Sequence, residues 1–245
     1  MNKVAVVTGG TRGIGEAICS RLLADGYRVI ALDVDATMNH LWAVKQATAG
    51  FEKAEAVVCD VTDLDKCKSV IGKIIADHGR IDLLVNNAGI TRDSTFRKMN
   101  EKSWYDVINV NLNSMFNVTR PVIENMLENR SGRIINISSV NGQKGQFGQT
   151  NYSAAKAGIH GFTKALAQEV ANKNITVNTI SPGYMNTNMM KDIPDDVLAS
   201  IKSQIPAGRL GEPEEVADLI RYLSSDVASY ITGANIAING GQHMY

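Results

Sequence analysis

Val4-Ala5-Val6-Val7 runs directly into Thr8-Gly9-Gly10-Thr11-Arg12-Gly13-Ile14-Gly15. Four apolar residues closed off by glycines predict a short buried strand. From Gly15 to Ala24 the apolar residues Ala17, Ile18, Leu22 and Leu23 share one helical face, and Asp25-Gly26 stops the run. The glycines therefore join a strand to a helix. Gly9, Gly13 and Gly15 give the spacing GxxxGxG rather than GxGxxG. The physics is shared: backbone without side chains can approach a pyrophosphate, which then lies on a helix N-terminus. A glycine cluster by itself also suits an ordinary tight turn. Its place after the first strand favours dinucleotide binding, with Gly9, Thr11, Arg12, Gly13, Ile14 and Gly15 around the phosphates.

The same alternation continues outward. Further strands are predicted at Arg28–Leu32, Ala56–Cys59, Ile81–Val85, Arg133–Ile137, Thr176–Ile180 and Asn235–Ile238. Helices are predicted at Asp63–His78, around Trp104–Glu128 and at Tyr152–Ala171. Seven strands interleaved with helices imply an α/β fold, a doubly wound parallel sheet of Rossmann type with helices on both faces, because each parallel crossover needs a helix. No linker or internal repeat divides residues 1–245, so one domain is expected. Pro182 to Pro213 holds four of the five prolines and one short helical stretch near Asp195–Lys202. That zone reads as a lid or substrate loop.

Composition narrows the classes. The 25 Lys and Arg balance 25 Asp and Glu, so no cationic surplus is available for nucleic acid. No run approaches the ~18 apolar residues of a membrane span. Cys19, Cys59 and Cys67 are odd in number, form no CxxC and have no His at ligand spacing, which argues against a disulfide framework or a metal site. A reducing, cytoplasmic setting is expected.

Asp33 closes the second strand, 20 residues past Gly13, where an acid can accept from the adenosine ribose hydroxyls. It would repel a 2′-phosphate. Asp33 thus favours NAD(H), while the neighbouring Arg12 could pair with the extra phosphate and keeps NADP(H) as the alternative. A turn or helix-cap role is the plain reading of Asp33, and Asp35 could share it. Asp60-Val61 after the third strand would meet the adenine edge, or start the next helix. Asn87-Ala88-Gly89 after the fourth offers small residues for backbone pressed against a cofactor, or for a simple turn.

Tyr152 and Lys156 are four apart on one helix and so share a face. A phenol with a pKa near ~10 needs help to act at neutral pH, and a nearby ammonium stabilises its phenolate. Ser139 lies 13 residues upstream, just past a strand, where its hydroxyl could donate to a carbonyl oxygen gaining charge. Asn111 falls mid-helix among apolar neighbours, which disfavours a regular helix there. Tyr and Lys often share a helix face without function, so the pair alone is a weak signal.

Together, TGGTRGIG, NNAG, Asn111, Ser139, Tyr152–Lys156 and Pro182-Gly183 resemble the short-chain dehydrogenase/reductase family, in family order and over essentially the whole chain. The resemblance implies hydride transfer between a nicotinamide and a carbonyl or alcohol carbon. It implies Tyr152 as proton donor and Lys156 on the nicotinamide ribose, lowering the Tyr152 pKa. Ser139 would orient the carbonyl, and Asn111 would hold a relay water. Pro182, Gly183 and Met185 would pack by the nicotinamide, with Thr187 on its carboxamide. A homotetramer is implied as well.

Asn141–Tyr152, Gly89–Asp93 and Ser181–Tyr184 further resemble the acetoacetyl-CoA reductases within that family. That resemblance implies an acyl thioester site lined by Asp93, Ser139, Gln146, Phe147, Gln149 and Tyr184. The better-known members of that group use NADPH and lack an acid at the Asp33 position. The sister expectation is a 3-oxoacyl-[acyl-carrier-protein] reductase, for which Arg130 and Lys173 could offer a basic surface to an acidic carrier. A non-catalytic dinucleotide sensor is the reading from another class, and the complete Asn–Ser–Tyr–Lys set speaks against it.

Overall fold

The computed structural model describes residues 3–190 and 194–244. Seven strands make one all-parallel sheet: β1 (Val4–Thr8), β2 (Arg28–Asp33), β3 (Ala54–Val58), β4 (Leu83–Asn86), β5 (Gly132–Ile137), β6 (Ile175–Pro182) and β7 (Asn235–Ile238). Their spatial order is β3-β2-β1-β4-β5-β6-β7, so the winding reverses between β1 and β4. The doubly wound sheet expected from the alternation is present.

Each strand's period of two divides the core. Val4 and Val6 face one layer with Ile30, Leu32 and Ile134, under α3 (Leu64–His78), α5 (Ser114–Asn129) and α7 (Thr150–Val170). Ala5 and Val7 face the other with Val29, Ala31 and Ile135, under α1 (Gly13–Ala24), α2 (Ala36–Thr48) and α9 (Pro213–Leu223). Burial on both faces explains why the central strands are continuous apolar runs rather than alternating ones.

Several boundaries differ from the sequence reading. β4 starts at Leu83 rather than Ile81 because the Ile81 N–H is taken by the Asn125 side chain (3.0 Å), outside the ladder. The helix expected around Trp104–Glu128 is three pieces: α4 (Glu101–Ile108), a π-helical turn at Asn109–Asn113, and α5. The disruption expected at Asn111 is that turn. α2, α9 and the short α6 (Val140–Lys144) were not anticipated. The 182–213 stretch carries a 3₁₀ turn at Asn188–Met190 and α8 (Asp195–Ser203), while 191–193 lie outside the described residues. Its two ends are stitched together: Asn186 N donates to Gly211 O (2.7 Å) and Gly211 N to Tyr184 O (2.9 Å).

Candidate active site

Ligands of open α/β sheets settle at the carboxyl ends of the strands, where the winding reverses. Here that point is the cleft between Thr8 of β1 and Asn86 of β4. The Thr8 hydroxyl accepts from the Asn87 and Ala88 N–H groups (2.9 and 3.0 Å), and Asn87 Nδ2 returns a bond to Gly9 O (3.1 Å). Gly9 has φ +61°, and a Cβ there would stand 3.1 Å from Ala88 Cα. Gly13 has φ +54° and faces only the Thr187 methyl, 3.6 Å from where a Cβ would be.

α1 has Arg12 at its N-cap and no side chain capping it, whereas α2, α3 and α4 are capped by Asp35, Asp63 and Asn100. The first-turn N–H groups of α1 are therefore free to meet a negative charge. A glycine loop, an uncapped helix start and an acid at the end of β2 fit a dinucleotide. Asp33 is buried, accepts from the Thr11 hydroxyl (2.8 Å) and Asp35 N (3.2 Å), and lies 3.5 Å from the exposed Arg12 guanidinium. Asp60 is exposed and accepts from Thr62 N (2.9 Å), leaving the cap of α3 to Asp63. Val61 is buried in the core beside Cys59 and Cys67.

On the other side of the cleft, Ser139 N-caps α6, its oxygen accepting from Asn141 N (3.1 Å). Its hydroxyl also acts on that of Tyr152. Neighbouring Ser138 is committed elsewhere, donating to Lys156 O (2.8 Å). Burial pushes the Tyr152 pKa up, the Ser139 hydroxyl pulls it down, and the Asp93 carboxylate pushes it up again. Lys156 is 3% exposed, donates to Ile137 O (2.8 Å) and sits 5.6 Å from the Tyr152 ring centre. Burial lowers its pKa to about 8.

Asn111 is fully buried in the π turn. Its Nδ2 donates to Ile90 O (2.9 Å) and Val107 O (2.8 Å), and its Oδ1 accepts from Ile90 N (3.2 Å). The side chain thus pins the strand-end segment that carries Gly89 and Asp93. Gly89 needs to be glycine, since a Cβ would fall 2.6 Å from Asn111 Oδ1.

Gln149 joins the substrate-side residues. Its Nε2 donates to Asp93 (2.8 Å) and its Oε1 accepts from Asn141 Nδ2 (3.0 Å). Asp93 also raises the Tyr184 pKa, behind burial as the larger cause. So Asp93 is hydrogen-bonded to Gln149, and its charge acts on both Tyr152 and Tyr184. Gln146 pairs with Lys144 (3.1 Å), and Phe147 is 87% exposed. Pro182 and Gly183 end the sheet against Ile238, and Met185 is buried beside Gly211. Sequence reading overlooked Asn141 and the fully buried Asn151, which donates to Arg92 O (3.2 Å) and Ser103 O (3.0 Å). Neither had any signal beyond being polar in a glycine-rich loop.

Residues 3–198 match the family model for short chain dehydrogenase. This chain belongs to the short-chain dehydrogenase family. It is an oxidoreductase of a family that uses a nicotinamide cofactor, NAD(H) or NADP(H). It is 53% identical over 243 residues to an acetoacetyl-CoA reductase of Cupriavidus necator, covering 99% of this chain and 98% of that one. It is 45% identical over 242 residues to the 3-oxoacyl-[acyl-carrier-protein] reductase FabG of Escherichia coli, covering 99% and 98%. Among solved structures, the crystal structure of gox2181 superposes with a TM-score of 0.94 at 33% identity, covering 98% of this chain and 95% of that one. Among the described residues no His, Cys, Asp and Glu cluster could hold a metal, and no helix is long and apolar enough to cross a membrane.

Proposed function

We propose that this chain reduces the 3-oxo group of a short acyl thioester, acetoacetyl-CoA to 3-hydroxybutyryl-CoA. The observation that carries this reading is the Asp93–Gln149 hydrogen bond, whose carboxylate acts on both Tyr152 and Tyr184. A carbonyl placed against Ser139 and Tyr152 would leave its thioester arm among amide, phenol and carboxylate groups that hydrogen-bond.

Bound, the reduced nicotinamide supplies the hydride. The chain's own residues do the rest. Ser139 donates to the carbonyl oxygen as charge develops there. Tyr152 delivers its hydroxyl proton to that oxygen. In the free protein the phenol is held above its ordinary pKa, chiefly by burial. Lys156 would hold the nicotinamide ribose, and its ammonium would stabilise the phenolate left behind. The Asn111 side chain is fully engaged with Ile90 and Val107. A relay water would therefore bind a main-chain carbonyl loosened by the π turn.

Gly9 to Gly15 and the start of α1 would take the pyrophosphate, Asp33 the adenosine ribose, and Asp60-Val61 the adenine. Asp33 makes NAD(H) the favoured cofactor. Residues 182–213 would act as a lid, drawn together at Tyr184–Asn186 and Gly211. Likeness to the Escherichia coli reductase supports acyl carrier protein as the second reading. The deciding experiment compares kcat/KM for acetoacetyl-CoA and acetoacetyl-carrier protein, each with NADH and NADPH. Higher values for the carrier-protein substrate would overturn the CoA assignment.

A further inference from the structure

Two of the three cysteines meet. Cys59 follows β3 and Cys67 lies in the first turn of α3, with their Sγ atoms 3.9 Å apart. The Cys67 thiol also reaches Asp60 O (3.7 Å). Cys19 packs on the opposite face of the sheet.

We propose that Cys59 and Cys67 are a modification site: a hydroperoxide converts them to a reversible intramolecular disulfide, and this cross-link loosens the adenosine end of the cofactor site. The second half rests on the cofactor reading above. A disulfide needs ~2.05 Å between sulfurs, so the two must close by roughly 1.8 Å. Rotation about the Cβ bonds and a small loop shift can supply that. The loop has little slack. Cys59 N donates to Asp33 O (3.0 Å), and Asn117 Nδ2 donates to Val61 O (3.0 Å) and Thr62 O (3.2 Å). Drawing Cys59 toward α3 therefore pulls on the main chain of Asp33 and reshapes Asp60-Val61.

Both thiols are buried, so oxidation needs a local opening. β3 is an edge strand paired only to β2, and Val58, next to Cys59, is 43% exposed. A small peroxide can enter when that edge frays. The two thiols are also unequal. The contact with the Cys67 thiol lowers the Cys59 pKa against the cost of burial, with help from Lys66. The same contact, and then burial, raise that of Cys67. Cys59 also adjoins the exposed Val58 at that edge, so an entering peroxide meets it first; Cys59 is the attacking thiolate and Cys67 the resolving thiol.

The steps balance. Cys59 S⁻ attacks one peroxide oxygen, the O–O bond breaks, and the other oxygen takes a proton and leaves as water or an alcohol. Cys59 is then a sulfenic acid. Cys67 gives up its proton and attacks that sulfur. The S–O bond breaks, the hydroxyl leaves with the proton as water, and the S–S bond forms. The thiols lose two electrons and the peroxide gains them. A dithiol reductant reverses the change.

The test treats the full chain with hydrogen peroxide, alkylates remaining thiols after denaturation, and maps the peptides by mass spectrometry. NADH and NADPH affinities are read in parallel by fluorescence. The expected result is a Cys59–Cys67 cross-link with Cys19 alkylated, a Kd raised at least fivefold, and full recovery with dithiothreitol. Bound cofactor should slow the cross-link. Cys67→Ala and Cys59→Ala should keep the reduced-state Kd and lose its peroxide response. Oxidation of Cys59 to a sulfinic acid without a cross-link would overturn the proposal, as would a cross-link that leaves Kd unchanged. Neither readout depends on which thioester is reduced, so failure of the acetoacetyl-CoA assignment would show separately.

Discussion

Asp33→Asn isolates the charge that should select the cofactor. The amide keeps the shape of the carboxylate and can still accept from Asp35 N, while its other end stays beside the Thr11 hydroxyl. What disappears is one negative charge, held in a buried site at the end of β2. Toward NADH, two ribose hydroxyls donating to a carboxylate are worth ~1.5–3 kcal/mol each at best, and to a neutral amide about half that. Toward NADPH, a carboxylate about 4 Å from a 2′-phosphate meets roughly 4 kcal/mol of repulsion per unit charge at an effective dielectric of ~20. Arg12, 3.5 Å from the carboxylate and more than half exposed, offsets much of this and is itself screened by water. The difference comes to ~1–3 kcal/mol, about five- to 150-fold in kcat/KM. Wild-type protein should therefore use NADH at least as well as NADPH. Asp33→Asn should move the NADPH/NADH ratio upward by that factor, and Arg12→Ala should move it down. Steady-state kinetics with both cofactors at one ionic strength measure this. A wild-type enzyme that prefers NADPH tenfold, with a ratio indifferent to Asp33→Asn, would refute the reasoning and make Arg12 decisive.

Tyr152→Phe should abolish reduction while cofactor Kd changes little, since the ring remains and only the transferable proton is lost. Retention of most of the kcat would remove Tyr152 from the proton-donor role. Ser139→Ala should lower kcat by roughly 10²–10³; because Ser138 is tied to Lys156 O, it cannot substitute, and a loss below about fivefold would point to Gln149 instead. Gln149→Ala should raise KM for acetoacetyl-CoA more than it disturbs cofactor binding, and equal weakening of both would make the Asp93–Gln149–Asn141 chain a structural brace. Lys156 supplies a pH signature. Its folded pKa of about 8 lies below the ordinary 10.5, so between those values the unfolded chain holds a proton that the folded one has lost. Stability of the free protein should accordingly rise with pH across that window. Chemical denaturation at pH 7.5 and 10 should show a larger rise for wild type than for Lys156→Met; parallel curves would place the buried ammonium elsewhere.

Much of the architecture was legible because the central strands are pure apolar runs and the glycine loop stands after the first of them. Tyr152 and Lys156 were legible through helical spacing, and Asn111 through its misfit in a helix. α2 was not, for a physical reason: its buried residues are Asn39, Trp42 and Gln46, so the face toward the sheet lacks an apolar stripe. α9 did carry one, with Val216, Ala217, Ile220 and Leu223 buried and Pro213 at its start, but it follows a proline-rich stretch that masked it. The Asn141–Gln149–Asp93 chain and the Cys59–Cys67 contact join residues that only the folded chain brings together. Sequence spacing holds no trace of them.

The π turn at Asn109–Asn113 has a further meaning for how this chain can change. A helix advances about 100° per residue, so one residue more or less rotates everything beyond it by that amount. Val118, Val122 and Met126 of α5 face the sheet only because the wide turn sets their phase relative to α4. Wound instead as a plain α-helix, the same five residues would turn further, by about one residue's 100°, and swing that row away from the core. That winding would also withdraw Asn111 from Ile90. Substitutions can drift through this helix only while the wide turn is kept, because the same five residues keep time for both the core and the cleft.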